Sequence, residues 1–598
     1  MALIDSIDWG TQAATNAGVI NVYFATGGET WDSVTSDGWS AYEISKVMEA
    51  FAVFENYINV TFTQVFNPAQ SHFQLLTTND IPYGGYFNPP GTVNAGVGVF
   101  NTDNWGWDTT GGLEQGGYSF ITLLHEIGHG LGLAHPHDDG GTSSIMNGVL
   151  ASSDFGDYNL NQGVYTTMSY NDGYDSISNS SSTDKDYGWQ GTIMALDIAV
   201  LQDKYGVNNS YNSGNNVYTL ASLNAAGTFY TAIWDTGGID TIVSSSATNS
   251  TIDLRAATLQ YENGGGGFIS ATNGGIDGGF IIANGVVIEN ATGGSGNDRL
   301  ISNNANNGLN GGAGFDIADF IGDTTDLVIN LFAGTAISVG SGADTLISIE
   351  GIYSGDGNDL IYGNDYDNIL FGRLGNDIIT GANGDDNIDG GGGNDWLYGQ
   401  DGNDTINAGD GAVDVSLGGN GNDTILGAGG FDYIYGEAGN DTLNGGGEVD
   451  VIYGGSGNDN ISGAMDTDWL FGGDDNDIID GFHGSDLLFG GAGVDTLKGG
   501  EGNDWIWGGS SNGLGDGAID TFVFEINWGA DVIYDFENGI DKIDLSGSGA
   551  TSFADLSIGQ IAGGFTWIAY GADVIYLWGA GNVNVGAGNI DASDFIFV

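Results

Sequence analysis

An aspartate recurs every nine residues without exception at Asp423, Asp432, Asp441, Asp450, Asp459, Asp468, Asp477, Asp486, Asp495 and Asp504. Two positions after each stands Ile or Leu, from Ile425 and Ile434 through Leu497 and Ile506. A glycine follows four positions after each aspartate. The unit is G-G-x-G-x-D-x-U-x, with U a large apolar residue. Glycines permit the φ > 0 turns of a tight loop. The U residue points inward from a very short strand and stacks on its neighbours, so a single unit buries nothing but an array does. The aspartate and the loop carbonyls are hard oxygen ligands for Ca²⁺. A flexible Gly/Asp linker would explain the composition but not an apolar residue locked to a fixed phase. The same period runs through Asp359, Asp377, Asp386, Asp395 and Asp404, with Asn368 in one aspartate position. A one-residue insertion near Asp410 to Asp414 shifts the phase. Asp298, in "GGSGNDRLI", opens the array. All of these aspartates are predicted calcium ligands.

The charge fits that reading. The 598 residues hold 78 acidic and 8 basic side chains, a formal net of −70. Nucleic acid and anionic membrane are poor partners for such a surface, whereas divalent cations would neutralise it. Hydrophobic residues at 40 % suffice for a core, and the length calls for several folding units. Cysteine is absent, so neither disulfides nor thiolates contribute. No basic-then-apolar leader and no run long enough to cross a membrane is visible, so no membrane insertion is expected.

Ahead of the array the character differs. Residues 1–205 read as a mixed α/β domain. "VINVYFAT", "VTFTQV" and "HFQLLTT" have strand patterning. "AYEISKVMEAFAVFENYI" sets Ile44, Val47, Met48 and Phe51 at helical spacing. Further helices are expected over "FITLLHEIGHGLG" and "IMALDIAVLQDKYG", the latter stopping near Gly206. Residues 206–290 read as a β-rich connecting segment, 291–510 as the repeat array and 511–598 as a β-rich C-terminal region.

Three of the chain's six histidines fall in "HEIGHGLGLAH". His125 and His129, four apart on a helix, share one face. They can take two corners of a tetrahedral Zn²⁺ site. Gly132 lets the chain turn sharply and bring in His135 as the third ligand, leaving the fourth position open as catalytic zinc requires. Zinc lowers the pKa of its water to about 7. Glu126, turned about 100° from His125, is placed to act as general base without being a ligand. HExxH alone is a weak motif; the extended HExxHxxGxxH is far more specific. Downstream, "GVYTTMSYNDGY" holds Met168 and Tyr170. A methionine turn after the third histidine completes the metzincin pattern.

With these motifs the sequence resembles the serralysins, secreted zinc metalloproteases of Gram-negative bacteria that carry RTX calcium-binding repeats. The resemblance implies an α+β metzincin-like catalytic domain, then an all-β parallel β-roll (the RTX solenoid) and a β-rich C-terminal cap. It implies one catalytic Zn²⁺ and several structural Ca²⁺ ions. It places Met168 in a turn beneath the zinc, and makes Tyr170 both a zinc ligand at rest and a stabiliser of the tetrahedral intermediate. "IWDTGGIDTI" and "YNSGNNVY" resemble the first calcium-binding segments after the catalytic domain. By position the ligands there would be Asp235, Gly237 and Asp240 with Asn212, Gly214 and Asn216, although the family usually has Arg and Thr where Asn212 and Asn216 stand. The closing "DFIFV" matches a C-terminal signal for type I secretion, implying an extracellular protein without an N-terminal signal peptide. Protein or peptide substrates, the type I secretion machinery and a monomeric state follow from the same resemblance. The repeat array is far longer than a typical serralysin's, which suggests attachment to a surface or another polymer. The alternative is a non-enzymatic, calcium-folded adhesin or surface-layer protein with an inactive front domain. It leaves the intact set of His125, Glu126, His129, His135, Met168 and Tyr170 unexplained.

Overall fold

The computed structural model describes residues 2–103, 107, 111–139, 141–171, 187–340, 342–509, 515–561, 565–580 and 585–597. Val598, the last residue of "DFIFV", lies outside them. The chain forms two compact units, Met1–Ala318 and Asp319–Val598. Among the described residues no helix is long and apolar enough to cross a membrane.

The first unit begins with a five-stranded sheet. Strand β1 (Val19–Phe24) runs parallel to β2 (Thr61–Val65) and β3 (Phe73–Thr78). β5 (Val97–Asn101) pairs parallel with β3, and β4 (Gly85–Phe87) closes the edge antiparallel to β5. Helix α1 (Ala41–Tyr57) starts at a capping box: Ser40 Oγ accepts from the Glu43 N–H at 3.2 Å, and Glu43 returns a carboxylate to the Ser40 N–H at 2.7 Å. Val47 and Phe51 are buried as the spacing predicts, but Ile44 and Met48 are only half-buried. The inner stripe runs through Ala50 and Phe54 instead, where Phe51 stacks on Phe62 of β2. Helix α2 (Tyr118–Leu131) is apolar on nearly every side, which fits its burial beneath the sheet edge. Helix α3 (Ala195–Tyr205) ends at Gly206. After it, short strands such as Thr241–Val243 and Asn290–Thr292 pair in parallel and begin a roll.

The second unit is dominated by two parallel sheets that take alternate nonapeptides. Sheet I carries Ile378–Asn383, Trp396–Asp401, Val415–Asn420, Tyr433–Ala438, Val451–Ser456, Trp469–Asp474, Leu487–Ala492 and Trp505–Trp507. Sheet II carries the intervening strands, including Thr424–Gly429, Thr442–Gly447 and Asn460–Ala464. The U residues line the interior in exact register, Ile434–Ile452–Leu470–Leu488–Ile506 in sheet I and Ile425–Leu443–Ile461–Ile479–Leu497 in sheet II. None is more than 1 % exposed. The glycines are obligatory at the turns: Gly439 has φ 144°, and a Cβ there would run into the Gly421 carbonyl of the coil before. Beyond residue 514 the sheets continue. Thr521–Val523 extends sheet II, Ala530–Phe536 extends sheet I, and the terminal strand Phe595–Ile596 pairs with Lys542–Asp544. An antiparallel strand pair, Thr566–Tyr570 with Asp573–Gly579, lies beside them.

Because each U residue is held by neighbours on both sides, Leu470→Ala leaves a cavity inside a column. It is expected to cost about 2–5 kcal/mol in the calcium-loaded protein. Thr442→Ala, on the outer surface, is expected to stay within about 0.5 kcal/mol. Equal losses in denaturant titrations of the two variants would contradict the stacked core.

Candidate metal centre

Helix α2 presents His125 and His129 one turn apart and stops at Gly132, whose φ of 98° is left-handed. Its N–H returns to the Gly128 and His129 carbonyls, and a Cβ would collide with the Thr11 carbonyl oxygen. The chain then doubles back and sets His135 against the other two. His135 Nε2 lies 3.1 Å from His125 Nε2 and 3.1 Å from His129 Nε2. The three residues can each offer one atom to a common ion.

The other ring nitrogens are committed elsewhere. His125 Nδ1 donates to the Thr167 carbonyl at 2.7 Å, His129 Nδ1 to the Leu133 carbonyl at 3.0 Å, and His135 Nδ1 to Asp138 Oδ2 at 2.5 Å. These bonds fix the tautomer and leave three Nε2 lone pairs converging on one point. Burial, reinforced by the other histidines, pushes His125 down to about 3 and His129 well below the ordinary imidazole range. The rings of His125 and His129 are therefore neutral and ligand-ready at neutral pH. Three imidazoles and no acidic ligand suit Zn²⁺ among the common ions.

Glu126 is buried, and its Oε2 has no hydrogen-bond partner. Burial pushes its carboxyl up to about 8, with the Phe87 backbone opposing the shift. Tyr170, half exposed, places its ring 4.6 Å from that of His135 and 5.7 Å from that of His125. Burial, followed by the nearby Glu126, pushes its phenol up to about 12, so it is a proton donor throughout the neutral range. Met168 is fully buried beneath the helix, with its sulfur packed against Gly128. His125, Glu126, Tyr170, Gly85 of β4, Trp189 and Gln190 all line one cleft of about 420 Å³.

Three further residues, none of them in the histidine or methionine motifs' ligand positions, support the site. Asp138 orients His135; its signal was its place three residues after that ligand in "HPHDD". Thr167 orients His125 through its carbonyl. Asp197, on α3, shapes the methionine turn: its carboxylate accepts from Thr166 Oγ1 at 2.6 Å, Thr167 N at 2.7 Å, Thr167 Oγ1 at 2.9 Å and Met194 N at 2.9 Å. No spacing rule links Asp197 to a turn that lies 30 residues earlier.

The aspartate array has its own geometry. Each ladder aspartate donates its N–H to Oδ1 of the aspartate one coil later, as Asp423 does to Asp441 at 2.8 Å and Asp441 to Asp459 at 2.9 Å. The Oδ2 of Asp359, Asp377, Asp386, Asp395 and Asp404, and of every ladder aspartate from Asp423 to Asp504, is buried without a partner. These oxygens face backbone carbonyls: a Cβ on Gly427 would meet both Asp432 Oδ2 and the Gly445 oxygen. Acceptors facing acceptors in a buried cradle fit a hard cation such as Ca²⁺. Asn368 shows the contrast, since its Nδ2 donates to the Glu350 carbonyl at 3.1 Å and its polar group is satisfied without an ion. Asp298 also departs from the pattern. Its Oδ1 accepts from Ser250 N and its Oδ2 from Gly294 N, both at 2.6 Å. Asp414 and Asp531 join the ladder with unpartnered Oδ2 atoms, although the repeat count passed over them. Asp414 sits just after the phase shift, and Asp531 follows a longer coil.

The earlier loop pair also comes together. Asp240 Oδ1 accepts from the Asn216 N–H at 2.6 Å, while Asp240 Oδ2 and Asn216 Oδ1 are buried and unpartnered. The Gly214 carbonyl abuts Gly238 in the same loop pair. Asp235 instead binds the Tyr218 hydroxyl at 2.6 Å and the Gly237 N–H at 3.0 Å, and Asn212 Nδ2 donates to the Tyr218 oxygen at 3.1 Å.

Residues 288–318, 353–388, 380–412, 417–452, 445–479, 462–497 and 480–513 match the RTX calcium-binding nonapeptide repeat. The chain is similar to serralysin of Proteus mirabilis, at 31 % identity over 301 residues, or 45 % of this chain and 56 % of that protein. It is 36 % identical to serralysin of Photorhabdus luminescens over 210 residues, covering 33 % and 39 % of the two. It is 30 % identical to the metallopeptidase AprA of Pseudomonas marginalis over 309 residues, covering 45 % and 56 %. Among solved structures, the AlgE6R3 subunit of the Azotobacter vinelandii mannuronan C5-epimerase is 27 % identical over 22 % of this chain and 78 % of that one, with a TM-score of 0.18, too low for any shared overall fold to be drawn. By class, then, this is a protein with a calcium-binding β-roll of RTX repeats. More particularly, over a little under half of its length it is similar to the serralysin and AprA metalloproteases. It spans between about two fifths and just over half the length of these curated relatives.

Proposed function

We propose that the protein is a secreted, calcium-stabilised zinc endopeptidase. The observation that carries this reading is the convergence of three Nε2 atoms beside a buried carboxyl group with an unpartnered oxygen. His125, His129 and His135 would hold the zinc, with Tyr170 beside them. When bound, zinc would supply Lewis-acid polarisation of the scissile carbonyl and a lowered pKa for water. Glu126 Oε2 takes the proton from the attacking water and returns it to the leaving amine. The Tyr170 hydroxyl donates a hydrogen bond to the oxygen on which negative charge develops. Asp138 and the Thr167 carbonyl keep the imidazoles in orientation, and Met168 fills the floor beneath them.

The substrate is a polypeptide in extended form. β4 is the sheet's edge strand and its Gly85 lines the cleft, so its free backbone groups can pair with an added strand. Type I secretion fits the array. In calcium-poor cytosol the carboxylates repel and the roll stays unfolded for export; outside, Ca²⁺ binding and folding are coupled.

The test is casein hydrolysis by the calcium-loaded protein. Activity is expected to vanish with 1,10-phenanthroline and return with one equivalent of Zn²⁺. Full activity in protein shown by mass spectrometry to hold no transition metal would refute the reading.

A further inference from the structure

The two sheets of the roll differ on their outer faces. In sheet II the outward positions are mostly polar: Thr405, Thr424, Thr442 and Asn460 succeed one another in register. In sheet I the matching row is apolar and alternates in size. Trp396, Tyr433, Trp469 and Trp505 occupy every second strand, and Val415, Val451 and Leu487 occupy the strands between. Neighbouring strands lie about 4.7–4.9 Å apart, so the large rings repeat about every 9–10 Å. Trp396, Trp469 and Trp505 are 51 %, 48 % and 49 % exposed, and among the described residues none of them contacts another ring. Each has aliphatic neighbours in the row rather than another ring, Val415 beside Trp396, Val451 and Leu487 beside Trp469, and Leu487 and Val532 beside Trp505.

A second row runs beside the first. Tyr435, Tyr453, Phe471, Phe489 and Trp507 stack in sequence at 4.5–5.1 Å. Successive planes in the first four are within 8°. So little rotation from strand to strand means that the sheet is nearly flat here, unlike an ordinary twisted sheet. The first row is therefore a straight line of aromatics in which the three tryptophans are half-exposed. A soluble protein does not normally leave three tryptophans half-exposed on one face without a partner for them.

We propose that this face binds a neutral, extended β-1,4-linked polysaccharide lying across the strands. In such a chain each sugar is turned over relative to the last, so one C–H face recurs once per disaccharide. That recurrence is close to the spacing of the rings, and the C–H face of a pyranose is complementary to an aromatic π-face. Charge selects the neutral polymer. The outward positions of both rows hold no Asp, Glu, Lys or Arg, so they offer no charge to pair with an ionic glycan. This inference stands apart from the peptidase reading, since it uses no residue of the metal centre.

The test uses the calcium-loaded full-length chain with amorphous cellulose and with chitin, read as depletion isotherms. Binding to at least one is expected, and Trp469→Ala with Trp505→Ala is expected to weaken it at least tenfold. Thr424→Ala with Thr442→Ala, on the opposite sheet, is expected to change it less than twofold. Far-UV circular dichroism and the calcium midpoint should be the same in all three proteins, because the substituted side chains face outward. Three results would overturn the proposal: no retention on either polymer, retention unchanged in the tryptophan variant, or retention on alginate alone. A fourth would be a sedimentation-detected dimer that the tryptophan variant abolishes with no glycan retained, which would make a second copy the occupant.

Discussion

Glu126→Gln is expected to lower casein hydrolysis by about 10²–10⁴-fold while leaving zinc content and fold unchanged. The substitution keeps the shape of the side chain, so no cavity forms, and it removes only the ability to take and return a proton. Glu126 is suited to that task because it lines the cleft beside His125 and its Oε2 has no hydrogen-bond partner. Because Glu126 is not among the three converging ligands, zinc stoichiometry by mass spectrometry should match the parent. Retained activity in the glutamine variant would reject the assignment of the base. Lost zinc would instead make Glu126 part of the metal-holding set.

Chelating calcium at pH 8 is expected to unfold most of the roll, whereas the same chelation at pH 5 should leave more of it folded. The direction follows from the ladder carboxyls. Burial, partly offset by a backbone N–H bond, raises Asp377, Asp450, Asp477 and Asp486 to about 8. Asp386, Asp432 and Asp468 rise to about 7, and Asp423, Asp441, Asp459 and Asp504 to about 6. Groups with raised folded-state values bind more protons folded than unfolded. Their contribution to the metal-free fold is therefore fully present below the unfolded value of about 4 and is lost as pH rises through 6 to 8. Calcium takes the place of those protons, so its binding should tighten with rising pH and release protons. Circular dichroism of protein stripped of calcium at pH 8 and exchanged into calcium-free buffer at each pH, with calcium titrations alongside, checks this. A metal-free roll that is folded at pH 8 and unfolded at pH 5 would reverse the sign and reject the account.

The amount legible beforehand differs between the two halves for a physical reason. A roll coil is a local object. Its turn needs glycine, its core needs one apolar residue, and its cation needs one carboxylate, all within nine residues, so the period of the string is the period of the structure. Likewise His125, His129 and Gly132 belong to one helix and its stop, and spacing alone places them together. On α1 the spacing places Val47 and Phe51 on the covered face, but Ala50 and Phe54 take the places of Ile44 and Met48 there, because periodicity alone does not say which apolar stripe the sheet covers. Asp414 was passed over because one inserted residue broke the count, although the coil absorbs the insertion and keeps its carboxylate in the ladder.

The sequence by itself determined the repeat, its calcium chemistry and the three-histidine motif, because each depends on neighbours along the chain. Only the tertiary structure decided that Asp197 props the turn beneath His125, that β4 is the free edge beside Glu126, and that Trp396, Tyr433, Trp469 and Trp505 form one straight row. Those facts depend on which distant segments become adjacent. Adjacency of that kind is set by packing and by the two-nonapeptide coil, which sends alternate repeats to opposite sheets and brings residues about two coils apart in sequence into a single line.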